Sequence, residues 1–246
     1  MNKVIKSFAL SVLLLSFSSC DVLNSAAETY LETSSTGEGT KSLTNQEVIS
    51  GLKEALTIGI QNAVDVTSVT NGFLENSEIK IPFPESAEAM KQKAIDWGLE
   101  SQVDKVVTTL NRAAEDAAKE ATPIFIEAIK NMTVQDGFAI LNGGEGAATE
   151  FLRKNTSEEL IVVFAPKVQN SIEKVKLTQY WEPVAKRYNQ AMIFTGGEKV
   201  DTDLNRYVTE QAIDGLFTMV AKEENEIRQD PAARVTDLLS RVFGSK

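Results

Sequence analysis

Acidic and arginine side chains at helical spacing are the residues of this sequence that could do chemistry. Glu115, Asp136 and Glu224 are the candidate acids or bases, and an arginine could act as an electrostatic clamp beside them. A carboxyl group acts as a general acid near neutral pH only where its surroundings raise its pKa. A cleft of that kind would suit a hydrolase or a lyase, so the helices that position these residues decide the interpretation.

The segment NRAAEDAAKEA, residues 111–121, has two interpretations: a charged functional site, or a helix that packs closely on one face and exposes its charged residues to solvent on the other. At about 100° per residue, apolar side chains fall on one stripe of a helix. Because most of them are alanine, a neighbouring helix can approach closely, and the packing should not tolerate larger residues. The stripe consists of Val103, Val107, Leu110, Ala114, Ala117, Ala121, Ile124 and Ala128.

Polar residues surround this alanine stripe in two different settings. Arg112, Asp116 and Lys119 lie opposite the stripe and are predicted to pair with one another at i+3 and i+4 on a solvated face. Asn111 and Glu115 flank the stripe at one edge, where a partly covered polar side chain must find partners. These two are therefore candidate binding residues.

A second segment, residues 203–229, has apolar side chains almost all round a helix. That pattern predicts a helix buried on several sides, and a central place in the fold. Glu224 and Arg228 form an i,i+4 pair in the favourable order close to its apolar arc. Two interpretations stay open: an ion pair that only stabilises the helix, or a partly buried polar binding site.

The composition excludes several classes of function. The sequence has no histidine, which removes the commonest general base and the commonest zinc ligand. A formal charge of −10 and a pI near 4.7, without a visible cluster of lysine and arginine, argue against nucleic acid or an anionic membrane as a partner. We predict no metal and no cofactor, because neither the glycines near residue 144 nor the acids near residue 201 have the context of such a site.

The first twenty residues match a bacterial lipoprotein signal. Two lysines precede an apolar run over residues 8–17, which is too short to span a bilayer as a stable anchor. Two serines then directly precede Cys20, the only cysteine. We predict a signal peptide over residues 1–19 and lipid attachment to Cys20; a plain secretory signal with an incidental cysteine is the alternative.

The next segment, residues 20–43, is rich in serine, threonine, glycine and glutamate and predicts a flexible tether. About 22 such residues have a root-mean-square reach of roughly 25 Å. The tether would keep a domain near a membrane of the cell envelope, on its periplasmic side or at the outer membrane. We predict that residues 44–246 form this single domain.

Repeated helix signals from residue 44 onward predict an all-α fold. A side chain that can cap a helix stands three residues before an acid at several points, the pattern of a capping box. These predicted helix starts are Thr44, Ser101, Thr133 and Thr156.

Three further segments complete the predicted organisation. Helices are predicted over residues 85–97 and 203–229, and a last helix over residues 230–244, each delimited by glycine or proline. The segment IKIPFP, residues 79–84, is extended and interrupted by proline, which predicts a loop or a short β-hairpin.

Several segments of the chain resemble a known family. They resemble the bacterial family catalogued as domain of unknown function 4197, over nearly all of the chain after the tether. The resemblance implies export, often as a lipoprotein, and implies no reaction. The segments are LKEALTIGIQNAV (52–64), IKIPFPES (79–86), LNRAAEDAAKEATPIFIEAIKNMTVQDGFAILNGGEGAATEFL (110–152), DLNRYVTEQAIDGLF (203–217) and IRQDPAARVTDLLSRVFG (227–244).

The same resemblance adds weight to polar residues that lie inside the family's motifs. They are the candidate residues for binding a ligand or partner: Asn111, Arg112, Glu115, Asp136, Arg206, Glu224 and Arg228. Two hypotheses follow. The favoured one is a non-enzymatic envelope lipoprotein whose helical domain binds an envelope protein or a small ligand. The other is a hydrolase or lyase that uses Glu115, Asp136 or Glu224 with an arginine clamp.

Overall fold

The computed structural model describes residues 44–96, 98, 100–174, 181, 185–186, 188–190, 192–194, 196–197, 199–201 and 203–229. The predicted signal peptide, Cys20, the tether and the predicted last helix lie outside these residues. Within the described part the regular structure is helical and contains no strand, so the predicted all-α fold class is confirmed. None of the helices described there has both the length and the apolar character needed to cross a membrane.

Seven α-helices and one short 3₁₀-helix run without a gap in the described part of the chain, and residues 181, 185–186, 188–190 and 192–194 are also helical. The 3₁₀-helix, Glu85–Ala87, leads directly into the second α-helix. The α-helices are α1 (Asn45–Ser68), α2 (Glu88–Asp96), α3 (Glu100–Ala118), α4 (Ala121–Asn131), α5 (Val134–Asn142), α6 (Ala147–Lys174) and α7 (Leu204–Gln229).

Two of the predicted helix starts are capping boxes. At α1 the Thr44 hydroxyl accepts the Glu47 N–H at 3.2 Å, and the Glu47 carboxylate accepts the Thr44 N–H at 2.8 Å. At α5 the Thr133 hydroxyl accepts the Asp136 N–H at 3.1 Å, and the Asp136 carboxylate accepts the Thr133 N–H at 3.0 Å. Each box satisfies two backbone donors that a helix leaves unpaired at its N-terminus.

The alanine stripe does not run along one continuous helix, as the sequence analysis assumed. The helix ends at Ala118 and restarts at Ala121, and Pro123 lies in the first turn of α4. A continuous helix would place Pro123 in its interior, where its ring clashes with the carbonyl of Lys119 and no N–H is available. The stripe is nevertheless buried on both helices, except for Val107 and Ala128, which are half-buried.

The predicted helix start at Thr156 is wrong. Residue 156 lies inside α6, where its buried hydroxyl donates to the Leu152 carbonyl at 2.7 Å. Ser157 makes the same bond to Arg153 at 2.7 Å. A serine or threonine hydroxyl inside a helix can donate to the carbonyl four residues earlier. The spacing of Thr156 and Glu159 therefore resembles a capping box without being one. The helix starts instead at Ala147, after a glycine turn.

Helix α7 is the central helix, as its all-round apolar pattern predicts. It packs against α1, α3 and α6. Its Gly215 gives room to the buried ring of Phe73, because a Cβ at this glycine would lie 2.6 Å from Phe73 Cε1. Phe217 of α7 meets Phe125 of α4 edge to face, with ring centroids 5.5 Å apart. Such pairs favour one packing arrangement over others.

Candidate functional site

Asn111 holds the extended segment around residue 81 against α3. Its amide oxygen accepts the Ile81 N–H and its amide nitrogen donates to the Ile81 carbonyl, both at 2.8 Å. The nitrogen also donates to the Val107 carbonyl of its own helix at 2.8 Å. Asn111 is fully buried, so the pairing replaces the hydrogen bonds that a neighbouring strand would supply to the IKIPFP segment. The predicted loop is therefore the correct alternative, rather than a hairpin.

A second asparagine side chain also pairs with both the N–H and the carbonyl of one backbone residue. Asn189 Oδ1 accepts the Val200 N–H, and its Nδ2 donates to the Val200 carbonyl, both at 2.7 Å. The sequence analysis did not identify Asn189. Its partner lies eleven residues away in a segment without helical periodicity, so no local pattern points to the pair.

Glu115 binds the connection that follows α1. Its Oε1 accepts the backbone N–H groups of Phe73 and Leu74, each at 3.2 Å. Its Oε2 accepts Nη1 of Arg112 at 2.6 Å. Glu115 is only 3% exposed, and two backbone donors and a guanidinium stabilise its charge inside the fold.

Arg112 does not form the predicted pair with Asp116. Its guanidinium bridges Glu115 and the side chain of Asn71, and Asn71 has a left-handed backbone with φ of 71°. Asp116 pairs instead with Lys119 at 2.8 Å, as predicted, and that hydrogen bond holds the pKa of Asp116 below its usual value. The bonds to Glu115 and to the connection draw Arg112 away from the solvated face.

Glu224 caps the N-terminus of α6 from a neighbouring helix. Its Oε1 accepts the Ala148 N–H at 3.0 Å, and its Oε2 accepts the Thr149 N–H at 2.9 Å and the Thr149 hydroxyl at 2.8 Å. A carboxylate at this place meets unpaired N–H groups and the positive end of the helix dipole. Helix α6 thus receives its N-terminal cap from α7.

Arg228 completes this arrangement at the end of α5. Its Nε donates to Glu224 Oε1 at 2.9 Å, and its Nη2 donates to the Ile140 carbonyl at 3.0 Å. The carbonyl belongs to the last turn of α5, where a cation is favourable for the helix dipole. The predicted pair therefore joins α5, α6 and α7, and Glu224 is 7% exposed.

Asp136 and Arg206 take part in neither of these two networks. Asp136 belongs to the capping box of α5, and the hydrogen bonds from Thr133 hold its pKa below the ordinary value. Arg206 lies exposed near the start of α7, and its ion pair with Asp201 raises the pKa of its guanidinium. It also lies 3.8 Å from the Glu210 carboxylate.

The predicted residues thus form separate groups, each bound to backbone or neighbouring side chains. Asn111, Arg112 and Glu115 are brought together on α3, and Glu224 with Arg228 on α7, but no described hydrogen-bonded residue joins the two groups. In the part of the chain that the structure describes, no cluster of three or more acidic, histidine or cysteine residues could hold a metal ion.

A shallow groove lies elsewhere, along the C-terminal half of α7. Its volume is about 500 Å³, and its lining includes Glu78, Thr218, Lys222 and Asn225. Lys222 and Glu78 pair across it at 3.1 Å. Asn225 contributes a buried Oδ1 that has no hydrogen-bond partner among the described residues. None of the predicted site residues lines this groove.

The family comparison agrees with the resemblance found in the sequence. The model of the family described as "Protein of unknown function (DUF4197)" matches residues 42–244. The chain belongs to this family. No curated protein and no solved structure matches the chain in the other two comparisons.

Within DUF4197, the matched region covers both polar networks and the groove. It begins just before the capping box at Thr44 and includes all seven described α-helices. The DUF4197 match therefore corresponds to the helical part of the chain, and the predicted lipid site at Cys20 lies before it.

Proposed function

We propose that this member of DUF4197 is a non-enzymatic binding domain that a lipid on Cys20 holds in the bacterial cell envelope. Its partner is an envelope protein or a small ligand. The signal-like segment before Cys20 and the tether of residues 20–43 support the anchor. The family match supports a domain that follows the tether directly.

The observation that carries the non-enzymatic part of this proposal is the use of the two buried carboxylates inside the fold. Both oxygens of Glu115 and both oxygens of Glu224 accept hydrogen bonds from backbone or arginine donors. The cavity beside Glu224 is only about 10 Å³ and is lined mainly by apolar side chains, so it offers no room for a substrate. These carboxylates stabilise helix ends and a connection.

Asp136 also differs from what the hydrolase or lyase hypothesis requires. A general acid must keep its proton near neutral pH, which needs a raised pKa. Hydrogen bonds from Thr133 shift the pKa of Asp136 in the opposite direction. No observation at Glu115, Asp136 or Glu224 favours the enzymatic alternative, and the binding domain is the single proposal.

The groove on α7 is the contact surface that the geometry supports best. Its volume of about 500 Å³ lies in the range of small-molecule sites, which is about 300–1,000 Å³. Its lining offers Lys222, Glu226 and Gln229 as polar groups for a partner.

A complementation experiment separates binding from acid–base chemistry. A deletion strain would be complemented with Glu115→Gln, which removes the charge, and with Ala114→Leu, which enlarges the neighbouring stripe residue. The amount of folded protein in the envelope is measured for both. We expect complementation to follow that amount equally for the two variants.

Acid–base chemistry at Glu115 would give a different result. Glu115→Gln would then reach the folded level of Ala114→Leu, yet fail to complement where Ala114→Leu succeeds. This outcome would overturn the non-enzymatic proposal.

The groove is tested by filling it. Thr218→Arg adds a large side chain at an exposed lining residue, and Ser101→Arg makes the same change on α3, outside the groove. We expect Thr218→Arg to fail in complementation at a normal folded level, while Ser101→Arg complements. If both variants complement equally, the groove is not the contact surface.

A further inference from the structure

Two adjacent apolar side chains lie exposed outside both polar networks and the groove. Ile193 is 64% exposed and Phe194 is 90% exposed. Isolated apolar residues are common on protein surfaces, but a phenylalanine exposed to this extent next to an exposed isoleucine leaves much apolar surface in water. We call Ile193 and Phe194 the apolar tip.

The backbone at the apolar tip is held in a defined turn. Residues 192–194 are helical, and the Gly196 N–H donates to the Met192 carbonyl at 2.9 Å. Gly196 has φ of +71°, the left-handed conformation that commonly ends a helix. The apolar tip therefore lies at the end of a helical turn.

The charges near the apolar tip differ from the acidic character of the whole chain. Between Glu182 and Glu198 the sequence has two basic residues, Lys186 and Arg187, and no acidic residue. The nearby carboxylate of Asp201 is paired with an arginine. The tip thus has no acidic residue within three positions in sequence, in a chain of net charge −10.

A second exposed apolar pair, on α6, has the opposite electrostatic setting. Ile161 is 47% exposed and Val162 is 72% exposed. Glu158 and Glu159, both exposed, lie one helical turn before Val162. Carboxylates at this position would have to lose water before the pair could enter an apolar phase, which is costly.

We propose that the apolar tip inserts into the surface of the lipid bilayer, an inference that rests on the lipid anchor of the proposed function. A flexible chain as long as the predicted tether has a reach of roughly 25 Å, which would keep the anchored domain within contact distance of the lipid. Burial of Ile193 and Phe194 drives the contact. Because the chain as a whole is acidic, the insertion depends on apolar burial and occurs on zwitterionic lipid.

The experiment uses the full lipidated chain in phosphatidylcholine vesicles. A nitroxide is placed on Ile193→Cys, and the matched control carries it on Val162→Cys. Cys20 is the only native cysteine, and acylation would leave the introduced thiol as the single labelling position. Collisions with oxygen, which concentrates in the bilayer, are compared with collisions with a water-soluble nickel chelate.

Insertion predicts a clear difference between the two labels. Burial of a phenylalanine favours the apolar phase by about ten- to a hundredfold, so collisions with the chelate at position 193 should fall about tenfold below those at position 162. Adding Phe194→Ser to Ile193→Cys should restore access to the chelate. Equal access at the two positions, or no effect of Phe194→Ser, would overturn the proposal.

Other occupants of the apolar tip give distinct results. Shielding at position 193 that disappears when the protein is diluted in excess lipid would assign the tip to a second copy of the chain and overturn insertion. The vesicles contain no other protein, so a protein partner would leave position 193 open to the chelate. The intact mass of the purified chain reports the acyl group separately, which distinguishes a missing anchor from a missing insertion.

Discussion

Glu224 and Arg228 lie one turn apart on α7 and bind the facing ends of two other helices. The carboxylate accepts the N–H groups that start α6, and the guanidinium donates to a carbonyl of the last turn of α5. The pair thus fixes the α5–α6 turn to the central helix. Its two charged groups bind N–H and carbonyl groups that helix ends would otherwise leave without hydrogen bonds.

The first prediction concerns this pair. Glu224→Gln should lower the free energy of unfolding by about 3 kcal/mol, because it removes the negative charge that the Ala148 and Thr149 N–H groups and Arg228 bind at a largely buried place. Urea unfolding of the full chain measures the loss. The control is Glu226→Gln, an exposed residue on the same helix, which should change stability by less than about 0.5 kcal/mol. Equal small effects would show that the pair does not hold the helix ends.

The second prediction concerns the buried amide of Asn111. Asn111→Ala leaves the N–H and carbonyl of Ile81 without partners, and each buried unpaired group costs about 1–3 kcal/mol. We expect a loss of about 3 kcal/mol in the same unfolding measurement. Asn155→Ala, which removes only an exposed bond to Phe151 of its own helix, is the matched control. A loss no larger than the control's would contradict the role of Asn111.

The third prediction concerns two helical glycines, whose substitution by alanine should change the stability of the fold in opposite directions. Gly215→Ala should destabilise the fold by about 2 kcal/mol, because the added Cβ lies 2.6 Å from the Phe73 ring and the core must shift. Gly59→Ala meets its nearest atom at 3.4 Å and should stabilise α1 by up to about 1 kcal/mol through helix propensity. Thermal unfolding of both variants gives the comparison. The packing described around Phe73 is wrong if Gly215→Ala is neutral.

The fourth prediction concerns the capping box of α5 and the pH dependence of the stability that Asp136 contributes. The pKa of Asp136 is lower in the folded chain than in the unfolded chain, so its stabilisation is present above about pH 4 and is lost as the pH falls. Thr133→Ala should raise the folded pKa of Asp136 towards its ordinary value and cost about 1 kcal/mol at neutral pH. An NMR titration of Asp136 measures the first effect.

A matched variant controls for the loss of a hydroxyl in the pH prediction. Ser101→Ala removes an exposed hydroxyl that lies inside α3 and caps no helix, since α3 begins at Glu100. It should leave the titration of Asp136 unchanged. If the pKa of Asp136 in Thr133→Ala equals that in the unmodified protein, the capping box is not the cause of its lowered pKa.

Local patterns were sufficient to predict much of the fold. The capping boxes at Thr44 and Thr133 depend on residues three apart, and the all-round apolar pattern of residues 203–229 depends on one helix, so both were readable from sequence. Two of the errors have local reasons as well. Pro123 signals the break in the alanine stripe, and Thr156 resembles a cap although its hydroxyl bonds inside α6.

The partners of the polar residues could not be predicted in this way. The edge positions of Asn111 and Glu115 predicted that they would need partners, and both are buried. Their partners, however, lie 30 to 42 residues away in the connection after α1, and those of Glu224 lie 75 and 76 residues away. Such pairings follow from tertiary packing, which no helical period encodes. The predicted domain limits and the lipid site stay predictions.

The central claim is that a lipid on Cys20 tethers a helical domain whose polar residues hold the fold together. The intact mass of the mature protein, purified from membranes after separation in detergent, tests it most directly. We predict recovery in the detergent phase of a chain that begins at Cys20 and carries the added mass of acyl groups. Recovery in the aqueous phase with an unmodified Cys20 thiol would contradict the account.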